Sequence, residues 1–222
     1  MSARVLVLAG PSGAGKSRLA RRLNGQHGWP VLQLDDFYRE ATDLDLPMSP
    51  LGLVDWDDVR SWNLPAALDA LERLCLEGLT EVPVYDISTS SVTGRHLVER
   101  GGHPIVLAEG IFAAHTVDGL RERGLLAQAW CIRNRPWLTF TRRLARDLAE
   151  RRKPPVTLWR RGHLLRRAEP GIVAAQQALG AEPMTAKEAE RRVPSLTVGP
   201  AAPQQQRQHQ QHQQDGGTGA GG

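Results

Sequence analysis

Val5-Leu6-Val7-Leu8-Ala9-Gly10-Pro11-Ser12-Gly13-Ala14-Gly15-Lys16-Ser17-Arg18-Leu19 is the stretch that decides the fold. Its first five residues are a short apolar run, which reads as a strand buried on both faces. The next eight, Gly10 to Ser17, fit the pattern G-x-x-x-x-G-K-[ST]. Gly10, Gly13 and Gly15 let the backbone wrap so that its N–H groups converge on phosphate oxygens at a helix N-terminus. Gly10, Pro11, Ser12, Gly13, Ala14, Gly15, Lys16 and Ser17 are therefore the candidate nucleotide-binding loop. Lys16 is expected to reach the β- and γ-phosphates of ATP, and Ser17 to ligate Mg²⁺.

Outward from the loop, Leu19 and Leu23 stand one turn apart among arginines and mark an amphipathic helix, with Gly25 and Gly28 as its expected stops. Val31 to Leu34 reads as a second strand that delivers Asp35-Asp36-Phe37-Tyr38 at its C-terminal end. Strand, helix and strand in some thirty residues make a βαβ unit and imply a parallel sheet. Residues 40 to 63 show no clear period. Leu64, Leu68, Leu71 and Cys75 share one helix face that Gly78 ends, and Val82 to Tyr85 reads as an edge strand because of Pro83. Ile105 to Ala108 and Ala129 to Ile132 are further buried strands. Helices are expected at Pro136 to Arg152, Pro155 to Arg167, Gly171 to Leu179 and Ala186 to Arg192. The predicted class is α/β: a doubly wound parallel sheet of the P-loop NTPase type, with helices on both faces and an Arg-rich helical lid over about 136–167. Residues 1–200 form the expected domain. Residues 201–222, with the Gln-rich run Gln204 to Gln214 and the Gly-rich run Gly216 to Gly222, form a biased tail, expected to be disordered because it buries too little apolar area to offset chain entropy.

Composition narrows the function. The 222 residues are 41% hydrophobic and 23% charged, as in ordinary globular proteins. No apolar run approaches bilayer length, and the N-terminus has no signal-peptide core. Cys75 and Cys131 lie in no metal-ligand spacing and read as reduced core thiols, so the expected location is the cytoplasm, with no membrane partner. From Arg133 to Arg167 twelve cations face only Asp147 and Glu150, a net +10 that leaves −6 for the rest of a chain whose total is +4. No nucleic-acid reading motif accompanies that basic run, which speaks for clamping a polyphosphate and against a nucleic-acid partner.

Three further elements carry chemistry. Asp35, with Asp36 beside it, sits where a kinase needs a carboxylate to orient a nucleophile. Glu109 ends a buried strand, where a second carboxylate helps hold Mg²⁺. Arg142, Arg143, Arg146, Arg151, Arg152 and Lys153 form a basic elbow able to close over a γ-phosphoryl group and exclude water.

In this order, Gly10 to Ser17, Leu34-Asp35-Asp36-Phe37-Tyr38, Asp55-Trp56-Asp57, Val82 to Asp86, Glu109-Gly110-Ile111 and Arg143-Leu144-Ala145-Arg146-Asp147 with Glu150-Arg151, the chain resembles the uridine–cytidine kinase family of P-loop kinases over roughly residues 4 to 155. The resemblance implies transfer of the γ-phosphoryl of ATP to the 5′-hydroxyl of a pyrimidine nucleoside, with Lys16, Asp35, Arg143, Arg146 and Arg151 catalytic. It implies Asp35 as the base, Asp57 on the ribose hydroxyls, and Tyr38, Trp56 and Tyr85 lining the substrate pocket. Ser17 and Glu109 would serve Mg²⁺. Members are often homo-oligomers, so self-association belongs to the expectation. After Tyr85-Asp86 members carry a His and an Arg; here the chain runs Ile87-Ser88-Thr89-Ser90-Ser91. Other small alcohols therefore stand as alternative acceptors, as does a regulatory ATP-binding module.

Overall fold

The computed structural model describes residues 2–50, 52–133 and 170–197. Residues 1–191 form one compact unit, and Arg192 onward belongs to a second. The expected lid at 136–167 and the Gln/Gly-rich tail lie outside the described residues.

Seven strands are described: β1 (Arg4–Ala9), β2 (Val31–Gln33), β3 (Leu79–Asp86), β4 (Ser91–Glu99), β5 (Ile105–Glu109), β6 (Leu126–Ile132) and β7 (Glu182–Met184). The helices are α1 (Lys16–His27), α2 (Leu64–Leu76), α3 (Val117–Glu122), α4 (residues 170–178) and α5 (Ala186–Thr197). Five strands form one sheet in the order β2-β5-β1-β6-β7, every pair parallel. The strand carrying the glycine-rich loop is thus central, flanked by β5 and β6.

The apolar runs found in the sequence are buried because the sheet is covered on both sides. Strand side chains alternate between faces. Val5, Val7 and Ala9 of β1, Val106 and Ala108 of β5, and Ala129 and Cys131 of β6 join one core with Leu68, Leu71 and Leu74 of α2 and Leu120 of α3. Leu6, Leu8, Ile105, Leu107 and Trp130 are equally buried but point to the other face, the side of Leu19 and Leu23 of α1. The doubly wound architecture follows from these two cores.

The structure corrects several local expectations. Gly25 lies inside α1, where it meets nothing, so it costs about 1 kcal/mol against alanine without ending the helix. Gly28 is the stop: its φ of 71° is left-handed and its N–H donates to the Asn24 carbonyl. Strand β2 ends at Gln33, and Leu34–Phe37 form a 3-10 turn. The edge strand around Pro83 belongs to a separate antiparallel hairpin, β3–β4, pairing Leu79 with Glu99 and Asp86 with Ser91. Strands β4 and β7 and helix α3 carry no reading in the sequence. Helix α2 begins as expected, with the Asn63 side chain accepting the Ala66 N–H at 3.1 Å.

Candidate active site

The site stands at the carboxyl ends of β1, β2 and β5. The loop after β1 takes its shape from glycines no other residue can replace cheaply. Gly10 has φ 135°, and a Cβ there would lie 2.3 Å from the Ile132 carbonyl oxygen. Gly13 and Gly15 also have positive φ, of 79° and 102°. Ala14 N–H donates to Pro11 O at 3.2 Å, closing the turn that leads into α1. Lys16 is buried, and its Nζ donates to the Gly10 and Pro11 carbonyl oxygens at 2.9 and 3.3 Å. Its ammonium is thereby held inside the curve of the loop, beside the amides that would receive phosphate oxygens.

Glu109 ends β5 with 7% exposure. Burial raises its carboxyl above the ordinary range, opposed first by the charge of Lys16 and then by a hydrogen bond from the Ser17 hydroxyl. Ser17 is itself exposed. An exposed hydroxyl bonded to a buried, under-solvated carboxylate is a donor set of hard oxygens that fits Mg²⁺. Among the described residues no group of three or more His, Cys, Asp or Glu is placed to hold a metal ion by itself, so Ser17 and Glu109 would share Mg²⁺ with the nucleotide and water.

Asp35 sits in the 3-10 turn after β2, its charge also felt by Glu109. Its Oδ1 accepts the Ile111 N–H at 2.9 Å, from the loop that follows β5. Gly110 makes that approach feasible, because a Cβ there would lie 2.8 Å from Asp35 Oδ1 and 3.1 Å from Leu34 Cβ. The turn is pinned from below by Trp62, whose buried indole N–H donates to the Leu34 carbonyl at 2.6 Å. Asp36 turns elsewhere. Its carboxylate accepts the Tyr85 backbone N–H and, half-buried, is raised by desolvation. The two adjacent aspartates are thus divided: Asp35 faces the β5 end, and Asp36 ties the turn to the hairpin.

Tyr38 organises an aromatic wall. Its ring centroid lies 5.9 Å from Trp56, 5.7 Å from Tyr85 and 5.9 Å from Phe112. Its hydroxyl donates to Trp56 O at 3.2 Å. Burial, then the charges of Asp35 and Asp57, hold that hydroxyl well above the usual phenol range, so it stays a donor. The Tyr85 hydroxyl donates to Arg39 O at 3.2 Å. Asp57 is exposed, its N–H bonded to Asp55 Oδ1 at 3.1 Å.

The structure therefore brings together Gly10 to Ser17, Asp35 and Glu109 on one side, and Tyr38, Trp56, Asp57 and Tyr85 on the other. Arg143, Arg146 and Arg151 lie outside the described residues. Sequence reading passed over Trp62, Phe112 and the Ile111 amide. Phe112 follows Glu109-Gly110-Ile111, so its place beside a strand end was the available signal. The Ile111 contribution is backbone and left none. A cavity of about 580 Å³ lies away from the loop: Asp36, Tyr38, Arg39, Asp69, Arg73 and Arg95 are among its lining, and no residue from Gly10 to Ser17 is.

No family model matches the chain. It is 31% identical over 107 residues to the inorganic pyrophosphatase TTM1 of Arabidopsis thaliana, a match covering 48% of this chain. The chain spans 15% of the length of the curated relatives it matches. Among solved structures, a protein assigned as a fructose transport system kinase from Silicibacter sp. TM1040 superposes with a TM-score of 0.55 at 14% identity, over 83% of this chain and 88% of that one. A protein assigned as a uridine kinase from Bacillus stearothermophilus reaches a TM-score of 0.40 at 21% identity, over 50% of this chain and 62% of the other. The first likeness is one of fold: the chain is an α/β protein with a parallel central sheet and a glycine-rich loop after its middle strand. No helix among the described residues is long and apolar enough to cross a membrane.

Proposed function

We propose that the chain is an ATP- and Mg²⁺-dependent kinase that passes the γ-phosphoryl group to the hydroxyl of a small alcohol. The observation that carries this is the hydrogen bond from the Ile111 amide to Asp35, which holds a carboxylate at the same sheet edge as Lys16, Ser17 and Glu109. A module that only binds or hydrolyses nucleotide needs no acceptor pocket beside that carboxylate, and the aromatic wall of Tyr38, Trp56 and Tyr85 supports one here. Lys16 and the loop amides would hold the β- and γ-phosphates, with the ammonium exchanging Gly10 and Pro11 carbonyls for phosphate oxygens. Ser17 and Glu109 would hold Mg²⁺, which when bound supplies charge neutralisation between the phosphates. Asp35 Oδ1 is occupied by the amide, so its other oxygen accepts the proton of the attacking hydroxyl.

The acceptor we assign is the 5′-hydroxyl of a pyrimidine nucleoside. Support comes from the resemblance and from the wall of Tyr38, Trp56, Tyr85 and Phe112, a surface on which a base can stack. Asp57 would take the ribose hydroxyls. Arg143, Arg146 and Arg151 would neutralise charge on the transferring group. The absence of His and Arg from Ile87 to Ser91 favours a second acceptor class, a sugar or similar alcohol.

A panel of nucleosides and simple alcohols with ATP and Mg²⁺, read as ADP and phosphorylated product, tests the assignment. Uridine or cytidine is expected to yield a monophosphate. Asp35→Asn is expected to lower turnover by about 10²–10⁴-fold with ATP affinity nearly intact. Product from a sugar alone would move the acceptor. Phosphate release from pyrophosphate with no acceptor, in keeping with the TTM1 likeness, would replace the kinase reading.

A further inference from the structure

Gln176 stands in α4, buried to 6% exposure. A glutamine amide so placed must satisfy both its donor and its acceptor end or lose stability. Both are satisfied here. Its Nε2 donates to the Ile111 carbonyl oxygen at 3.0 Å, and its Oε1 accepts the Cys131 thiol at 3.3 Å. Its own carbonyl accepts the Ala181 N–H at 3.0 Å, which fixes the end of α4 where the chain turns toward β7. One side chain thus ties the loop after β5 to the end of β6, the two strands that flank the phosphate-binding strand.

Ile111 is clamped from both sides of its Cα. Its N–H is held by Asp35 Oδ1 and its carbonyl by Gln176 Nε2. With both neighbouring peptide planes fixed, the amide that orients Asp35 has little freedom to swing. We infer that Gln176 is a positioning residue, which holds the Ile111 amide in place and through it the carboxylate of Asp35. The residue type is required: asparagine is too short to reach from the same helix position, and a glutamate carboxylate would set an acceptor against an acceptor. This inference deepens the kinase reading and rests on it for its kinetic consequence alone.

The test uses the full chain and Gln176→Met, which keeps length and apolar packing but has no N–H to donate. By amide hydrogen exchange, the Ile111 N–H in Q176M is expected to exchange at least about tenfold faster than in the wild type, with amides in β1 unchanged. In phosphotransfer, kcat is expected to fall about tenfold while the KM for ATP stays within about twofold, because the loop from Gly10 to Ser17 is untouched. In an Asp35→Asn background the same substitution is expected to have no further effect on kcat. Unchanged Ile111 exchange overturns the inference, and so does faster exchange with kcat intact. If the wild type phosphorylates no alcohol, the kinase reading falls, while the exchange measurement still decides whether Gln176 holds Ile111. Should Q176M fail to fold, the wild type suffices: the Gln176 side-chain amide protons must exchange more slowly than those of the exposed Gln33, and equal rates overturn the inference.

Discussion

Gly110→Ala is a one-carbon change aimed at the contact that places Asp35. Gly110 does not have a positive φ, so alanine brings no backbone penalty of the left-handed kind. The added Cβ would lie 2.8 Å from Asp35 Oδ1 and 3.1 Å from Leu34 Cβ. The first distance is about 0.6 Å inside ordinary van der Waals contact, too much for two packed groups to absorb without moving. Leu34 is fully buried and its carbonyl is held by Trp62, so the carboxylate is the part that gives way. A shift of that size stretches the 2.9 Å bond from the Ile111 N–H beyond useful length. Loss of a hydrogen bond to a charged group costs about 1.5–3 kcal/mol. Displacing a base by half an ångström or more lowers turnover by up to about 10²-fold.

The expected result is a modest fall in melting temperature and a loss of kcat of about 10–100-fold, with ATP affinity retained. Gly119→Ala is the control. Its Cβ would lie 2.7 Å from Leu68 Cδ1, a comparable clash against the core face of α2. That variant should lose stability and keep its kcat. Turnover in G110A equal to the wild type, or equal losses of kcat in both variants, would refute the argument that the Ile111–Asp35 contact sets the rate.

Glu109→Gln should raise the Mg²⁺ concentration needed for half-maximal activity by about 10–100-fold, measured by titrating Mg²⁺ at fixed ATP. Its stability effect depends on pH with a definite sign. Burial raises the Glu109 carboxyl in the folded chain, so the charged form is the costly one, and the wild type loses stability as pH rises through that folded value. E109Q escapes this loss, so its melting temperature relative to the wild type should improve from low to neutral pH; a constant difference would contradict the burial argument. Desolvation pushes the thiols of Cys75 and Cys131 up to about 11. Both should resist a thiol reagent at pH 8 until denaturant is added, and prompt labelling of either would count against the core described.

Much of this architecture was legible because it depends on burial. The runs at Val5, Ile105 and Ala129 are continuous apolar segments, and all three are strands covered on both faces. The loop was legible because its glycines answer to backbone geometry that only glycine supplies. Strand β4 was not. From Thr93 to Leu97 every residue is exposed, and of β4 only Val98 packs against the core, so no period of two survives in that strand. Strand β7 is three residues long and, among the described residues, pairs with β6 alone. Gly25 and Gly28 look alike in sequence, but only the second sits at a left-handed position. Asp35 and Asp36 also look alike, and what separates them is which amide each meets, Ile111 or Tyr85. That choice is made by residues 76 and 49 positions away and leaves no local trace.

The hairpin's independence from the five-stranded sheet has a bearing on how such a chain can diversify. Strands β3 and β4 are hydrogen-bonded to each other and to no strand of the main sheet among the described residues. Tyr85 connects the hairpin to the turn after β2 through its amide to Asp36 and its hydroxyl to Arg39. The turn Ile87 to Ser90 can therefore be lengthened, shortened or rewritten while every ladder that supports the glycine loop stays intact. Inheritance can keep the five-stranded sheet and its glycine loop fixed and vary the hairpin, and a designer can graft a foreign tip between Asp86 and Ser91 without rebuilding the sheet beneath.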